Sequence, residues 1–252
     1  MKESEREVVQ QELIIKLVQR IRGSHKKMGG KKLYRLLEAD IHGLNATMGR
    51  DKFFDLLRQW GLLVKRNRKY AVTTQSFHRF KVYENKFKDF VPQSPHQAWV
   101  CDITYVRIRK GFVYLFLITD AYSRKIIGWE LSESLGLEGA LQSLSMAIKQ
   151  CAHPEGIVHH SDRGFQYCSN EYVNRLKASG IQISMAEAGN CYENAMAERI
   201  NGILKDEYGL DETFSDAKQA RQAVKQGIQA YNEQRPHWSL GLRIPAEVHE
   251  AA

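Results

Sequence analysis

The apolar rhythm of the chain changes period near residue 98. Ahead of that point apolar residues recur at helical intervals. Over residues 4–22, Leu13, Leu17, Val18 and Ile21 predict an amphipathic helix. Ser4 would cap it, Glu3, Glu5 and Glu7 suit the positive end of its dipole, and Gly23-Ser24 ends it. A short second helix follows Gly29-Gly30, with Leu33, Leu36 and Leu37 on its apolar side. A third, capped at Thr47, turns Phe53, Phe54, Leu56, Leu57 and Trp60 inward and stops at Gly61. From Tyr70 to Gln97 neither period persists, and Pro92 and Pro95 punctuate the end. That stretch reads as a basic connector, and an extension packed on the following domain would satisfy the same pattern.

Beyond residue 98 the signals are those of strands. Ala98 to Ile108 is the first, and Phe112 to Ile118 is an unbroken apolar run of the kind buried on both faces. Ile126 to Leu131 follows the Ser123-Arg124-Lys125 turn. Helical spacing returns over 137–151 through Leu137, Leu141, Leu144, Ile148 and Cys151. Next come a short strand at Ile157 to His159, a helix at Asn170 to Ala178, a strand at Ile181 to Met185 and a helix carrying Glu198. A last helix, Asp216 to Gln234, packs through Ala220, Val224, Ile228 and Tyr231. The order β-β-β-α-β-α-β-α predicts an α/β fold, a mixed sheet with helices on both faces. The expected organisation is a small helical domain at 1–69, a connector at 70–95 and the α/β domain at 96–248.

Charge changes the picture of the first half. The net charge of +8 is unevenly spread. Residues 1–95 hold 21 Lys+Arg against 10 Asp+Glu, whereas the remaining 157 hold 16 against 19. A basic front on a slightly acidic body suggests a polyanion grip attached to a separate catalytic unit. Three short helices with a tight turn fit a helix-turn-helix module, whose third helix enters the major groove. Arg50, Lys52 and Arg58 would reach DNA from it, with Lys65, Arg66, Arg68 and Lys69 on a wing just beyond, gripping phosphates. A helical subdomain that only braces the core carries the same signals. No apolar run reaches the roughly 18 residues of a membrane span, and the N-terminus has no signal core, so a cytoplasmic protein without membrane contact is expected. The four cysteines fall at no zinc-ligand spacing and read as free thiols.

Three acids carry the candidate chemistry. Asp102 interrupts the apolar, β-branched run Trp99-Val100-Cys101-Asp102-Ile103-Thr104-Tyr105. Asp162 follows a strand in His159-His160-Ser161-Asp162-Arg163-Gly164. Glu198 closes Gly189-Asn190-Cys191-Tyr192-Glu193-Asn194-Ala195-Met196-Ala197-Glu198. A carboxylate in apolar surroundings needs a partner or a metal, and three of them suggest a divalent-cation site. On the Glu198 helix, Met196, Ile200, Ile203 and Leu204 gather on one face. Glu198, Asn201 and Lys205 lie within about 60° of one another on the other. Taken singly, an Asp after a strand is a turn former and a Glu on a helix is solvated. His160 could orient Asp162, contact substrate or be structural, and Gly189-Asn190 suggests a mobile loop or a turn.

Together these motifs, with 59 and then 35 residues between the acids, resemble the catalytic core of the DDE transposases and retroviral-type integrases. Within that group the chain is most similar to the second-frame protein of the insertion-sequence-three family. Arg235-Pro236-His237-Trp238-Ser239-Leu240-Gly241 resembles that family's closing motif, and Gly30-Lys31-Lys32-Leu33 its Gly-plus-basic turn. The resemblance implies a ribonuclease H-like fold and a catalytic, metal-binding triad of Asp102, Asp162 and Glu198 with two Mg²⁺ (or Mn²⁺) ions. It also implies a DNA-end contact by Lys205, to which Asn201 is added from the shared helix face. Further implications are terminal-repeat and target DNA as substrates, action as a homo-oligomer, and association with the nucleoid. An upstream-frame partner or fusion is expected too, since this chain begins at its own Met and has no sustained heptads. The zinc module of retroviral integrases has no counterpart, as residues 1–95 lack cysteine. Two other readings stay open: a ribonuclease H-type nuclease, and a silent DNA-binding regulator built on a transposase core.

Overall fold

The helical rhythm at the front of the chain becomes three helices, α1 (Glu3–Ser24), α2 (Gly30–Gly43) and α3 (Arg50–Gln59). The computed structural model describes residues 3–64, 79–187 and 194–251. The chain falls into two compact units, Met1–Tyr70 with Glu207–Gly209, and Ala71–Asp206 with Leu210–Ala252. In the first unit Ile14, Ile15, Val18, Met28, Leu33, Leu37, Ile41, Phe53, Leu56 and Leu57 form the core. Gly30 lets α2 approach α3, because a Cβ there would meet the Phe54 ring at 2.9 Å. Gly61, at φ +64°, turns the chain out of α3 as expected.

Four details of that reading are corrected. Ser4 lies inside α1 and does not precede it. The buried stripe of α1 runs through Ile14, Ile15 and Val18, which leaves Leu13 exposed, because α2 and α3 meet a face rotated by about one residue. Helix α3 starts after an extended Gly49 with no side-chain cap, so Thr47 is not its N-cap. Trp60 is half exposed, since the helix ends before its ring can turn inward.

The second unit contains β1 (Ala98–Ile108), β2 (Gly111–Asp120), β3 (Ile126–Ser132), α4 (Leu137–Lys149), β4 (Val158–Ser161), α5 (Phe165–Cys168) and α6 (Asn170–Ala178). It continues with β5 (Gln182–Met185), α7 (Ala195–Tyr208), β6 (Thr213–Phe214), α8 (Ala217–Gln234) and α9 (Pro245–Glu250). The sheet order is β3-β2-β1-β4-β5, with β6 pairing the far end of β1. Strands β1, β2 and β3 are antiparallel neighbours, while β4, β5 and β6 join in parallel. This is the expected mixed sheet with helices on both faces. One face packs Trp99, Phe116, Ile118 and Ile127 against α4 and α6. The other joins Ala98, Val100, Ala121 and Val158 to Ala197 of α7, with Phe87 and Phe90 laid over them. The described part of the connector is therefore packed on the sheet. The Lys86 amide donates to Ser184 Oγ at 2.8 Å on edge strand β5, and Phe87 stacks on His160.

The opposite edge, β3, is closed by side chains. Asn232 of α8 accepts from the Ile126 amide and donates to the Ile126 carbonyl, both at 2.9 Å, copying a neighbouring strand. Gln150 donates to the Ile127 carbonyl and Arg221 to that of Leu131.

The short elements α5, β6 and α9 were not expected. Helix α9 is fastened to the β2–β3 turn around Asp120, which is fully buried. Asp120 accepts from the Ser123 amide and hydroxyl at 2.7 Å and from the His96 amide at 2.7 Å. His249 of α9 lies 3.0 Å from Ser123 Oγ. His96 and Arg124, on either side, both hold a left-handed backbone (φ +61° and +64°). Burial alone would raise the Asp120 carboxyl, but His249, Ser123 and the His96 amide outweigh it and hold it below the usual carboxylate range. A depressed acid stabilises the fold above its unfolded pKa of about 4, and that stabilisation is lost on acidification below it. Asp120→Ala leaves these donors buried without an acceptor, and an expected loss of about 3 kcal/mol is measurable by urea unfolding.

Candidate active site

Strands β1 and β4 run in parallel with Val100 opposite His160. Continued by two residues, that register carries Asp102 alongside Asp162, just past the carboxyl end of β4. Helix α7 crosses over them and is tied to β1 by two amides. Asn194 donates to the Cys101 carbonyl at 3.3 Å, and Asn201 donates to Asp102 Oδ2 at 2.7 Å. Glu198, exposed, lies one turn before Asn201 on the same helix face.

The loop after β4 fixes Asp162, whose Oδ1 accepts from the Gly164 amide at 2.9 Å. A Cβ on Gly164 would stand 3.0 Å from that oxygen, so glycine keeps the carboxylate against the backbone. Behind the acids lies a dry floor. His159 Nε2 is 2.9 Å from both Cys101 Sγ and the Tyr172 hydroxyl, and all three residues are buried. Burial, followed by its neighbour His160, drives the His159 ring down to about 3, so it is neutral. Burial and then Asp102 and Asp162 push the Cys101 thiol well up, which leaves it inert. Cys101, Cys151 and Cys168 are free thiols.

This floor sets the electrostatics. Burial first, then Asp162, raises Asp102 to about 7, against the lowering effect of Asn201 and the Ile103 amide, with Glu198 adding a smaller push. Glu198 is itself raised by burial and by Asp162. Lys205, half-buried two turns along α7, is lowered by burial and pulled back up chiefly by Asp102. The three acids and Lys205 therefore share one electrostatic neighbourhood, in which Asp162 acts on Asp102 more strongly than Glu198 does. Among the described residues no three His, Cys, Asp or Glu side chains are spaced to share an ion. Mg²⁺ needs only one or two carboxylates besides phosphate and water. The mutual repulsion of Asp102 and Asp162 is the strain that a divalent cation relieves, so the residues present fit one.

The other expected contacts are placed as follows. Asn201 is nearly buried, its amide committed to Asp102. Arg50, Lys52 and Arg58 are exposed on α3 in the first unit, Arg50 paired with Asp51 at 2.9 Å and Arg58 with Asp55. Lys65, Arg66, Arg68 and Lys69, and the Gly189-Asn190 loop, lie outside the described residues. His160 is fully buried, stacked on Phe87 with its Nδ1 2.9 Å from Ser184 Oγ. Sequence reasoning missed Asn194, His159 and Tyr172. Asn194 left a signal, because it and Asn201 are seven residues apart, two helical turns on one face.

Integrase core domain families match residues 92–191 and 179–245. The chain is 34% identical over 229 residues to the transposase for insertion sequence element IS629 of Shigella sonnei, covering 90% of this chain and 75% of that one. It is 37% identical over 189 residues to the transposase InsF for insertion sequence IS3A of Escherichia coli (strain K12), covering 74% and 66%. The HTLV-2 integrase catalytic core domain, solved in complex with magnesium, shares the fold. Its TM-score is 0.50 at 16% identity, covering 62% of this chain and 98% of that one. The ribonuclease H-like core, the integrase-domain matches and the long alignments to curated transposases agree: the chain belongs to the insertion-sequence-three family of transposases, which are integrase-core polynucleotidyl transferases.

Proposed function

We propose that this transposase cuts and joins DNA at the ends of its element through Asp102, Asp162 and Glu198. The observation that carries this reading is the parallel β1–β4 register, which sets Asp102 beside Asp162 under α7, where burial and Asp162 raise the Asp102 carboxyl to about 7. A fold keeps two repelling acids on a dry floor where they serve a cation. Asp102 and Asp162 would hold the ions, Mg²⁺ or Mn²⁺, and Glu198 would complete the set by rotating toward the pair. When bound, two such ions neutralise charge on the attacking and leaving oxygens of an in-line displacement at phosphorus. Asn201 keeps Asp102 oriented, and Lys205 offers its ammonium to a DNA phosphate beside the acids. In the first step water attacks the phosphodiester at the element end and a 3′-hydroxyl leaves. In the second, that hydroxyl attacks a target phosphodiester and displaces another 3′-oxygen, with no covalent protein intermediate.

Residues 1–69 act as the helix-turn-helix-like grip, with Arg50, Lys52, Arg58, Lys65, Arg66, Arg68 and Lys69 on phosphates and bases. Residues 70–95 connect the grip to the catalytic core at 96–248. The protein works in the cytoplasm, on the nucleoid when bound to DNA. It works as a homo-oligomer on terminal-repeat and target DNA, alone or with an upstream-frame portion. The intact acid set and the basic front favour this over a ribonuclease H-type nuclease or a silent regulator.

The test is strand joining of terminal-repeat duplexes in Mn²⁺ and in chelator, beside hydrolysis of an RNA–DNA hybrid. Metal-dependent joining with no hybrid hydrolysis is expected. Hybrid hydrolysis without joining would move the assignment to the nuclease. Affinity for duplex DNA is expected to fall about 10³–10⁵-fold between 50 and 200 mM salt if roughly 6–10 phosphates are neutralised. A flat response in a filter-binding titration removes the basic front as the grip.

A further inference from the structure

The β1–β2 hairpin carries a feature that the cutting and joining chemistry does not use. Ile108 pairs with Gly111, so a two-residue loop puts Arg109 and Lys110 at the tip. Behind the tip, Arg107 stands opposite Phe112 and Tyr105 opposite Tyr114. Directly opposed residues share one face of a sheet. The Arg107 guanidinium lies 4.7 Å over the Phe112 ring, and the Tyr105 ring is 5.8 Å from Phe112 and 5.1 Å from Tyr114. Phe112 is 41% exposed, and Arg107, Arg109 and Lys110 are exposed too. From Ile103 to Thr119 the hairpin holds three cations and no acid. Acids flank the hairpin on both sides, Asp211 and Glu212 on the segment entering β6 beside the β1 edge and Glu133 just past β3 beside β2.

Side chains alternate along β1, so Arg107 and its aromatic neighbours lie on the α4 side of the sheet and Asp102 on the α7 side, while the tip continues the strand beyond the acids. Asp102 sits on the same strand, seven residues before Arg109. At about 3.3 Å per residue the strand carries the tip about 23 Å from the acids, which is the rise of about seven base pairs of duplex. The tip is also held firmly, since the Arg109 amide donates to the Phe214 carbonyl at 2.9 Å.

We propose that the β1–β2 hairpin is a DNA-gripping arm, with Arg109 and Lys110 at its tip on the backbone of the duplex about seven base pairs from the position held at the acids. A tip that carries two cations and no acid favours a polyanion. The arm rests on the reading of Asp102 and Asp162 as the place where DNA is cut.

The test uses the full chain with Arg109→Gln and Lys110→Gln together, and separately Arg107→Gln, which is expected to bind like the parent, each checked by circular dichroism. Equilibrium binding to a labelled random-sequence duplex of about 30 base pairs is followed from 50 to 200 mM salt. The double variant is expected to bind about tenfold more weakly at low salt, with a salt slope shallower by about 1.8, or 0.9 for each lost phosphate contact. On a terminal-repeat duplex, hydroxyl-radical protection about seven base pairs from the cut is expected to disappear. An unchanged slope together with an unchanged footprint overturns the arm. Asp162→Ala in parallel keeps the two readings apart. If the acids are misassigned that variant still joins strands, whereas failure of the arm leaves joining dependent on Asp162 and the hairpin variants binding like the parent.

Discussion

Asp102→Asn is expected to abolish strand joining and, at the same time, to make the metal-free protein more stable. The activity loss is at least about a thousandfold, equivalent to about 4 kcal/mol of transition-state stabilisation, because an amide cannot take the carboxylate's place beside Asp162. The stability gain follows from the raised carboxyl. Folded Asp102 titrates near 7 instead of 3.8. Between about pH 4 and 7 the folded chain therefore keeps a proton that the unfolded chain has lost, and stability falls as pH rises through that window. Above about pH 7 the full penalty is present, on the order of 2–4 kcal/mol. Asparagine removes it, so the variant should match the parent near pH 4 and exceed it at pH 8. Mg²⁺ should raise the melting temperature of the parent at pH 8 and leave the variant unmoved. Urea midpoints for the two proteins at pH 4.5, 6 and 8 settle the matter. A variant that is less stable at every pH would show that Asp102 is held by more than it repels, and continued joining would remove it from the chemistry.

Gly128→Val is expected to prevent folding of the sheet unit. Strand β3 runs beneath α4 so closely that a Cβ on Gly128 would stand 2.3 Å from the Ser143 carbonyl and 3.0 Å from the Ala147 methyl. The first obstacle is helix backbone, which cannot move aside without lifting α4 off Ile127 and Phe116. Gly128→Ala should cost about 3 kcal/mol or more, and valine's branched side chain adds two further carbons in the same place. Gly139→Ala, 2.4 Å from the Phe116 ring, probes the same contact from the helix side. Gly139 faces a side chain that can rotate, so its loss should be the smaller of the two. Thermal unfolding of the soluble alanine variants reads both, and a Gly128→Ala melt within about 1 °C of the parent would mean that α4 does not press on β3 at Gly128.

The sheet was legible because its strands announce themselves by composition. Ala98–Ile108 was bounded to the residue, and the Phe112 to Ile118 run marked an interior strand whose middle is buried on both faces. Asp102 stood out for the same reason, as a charge where period and apolarity left no room for one. The errors fell where local pattern is degenerate. Four apolar residues spaced along α1 admit two neighbouring faces, and only the position of α2 and α3 chooses Ile14 over Leu13. Thr47 is as good a cap as Gly49 on chemistry alone. The floor of Cys101, His159 and Tyr172 could not be read in advance, because its three residues come from two strands and a helix and no spacing connects them. The Asp120 cluster hid for the same reason, with His249 arriving 126 residues after Ser123.

The side-chain seal along β3 bears on how copies of this protein can associate. With both polar groups of Ile126 taken by Asn232, and the Ile127 and Leu131 carbonyls held by Gln150 and Arg221, the outer strand offers an incoming chain few sites for pairing. The homo-oligomer proposed above would therefore not be built by annealing one protomer's pleated surface to another's at that border. Helices, loops, the far edge at β5 or the nucleic acid itself would supply the mortar.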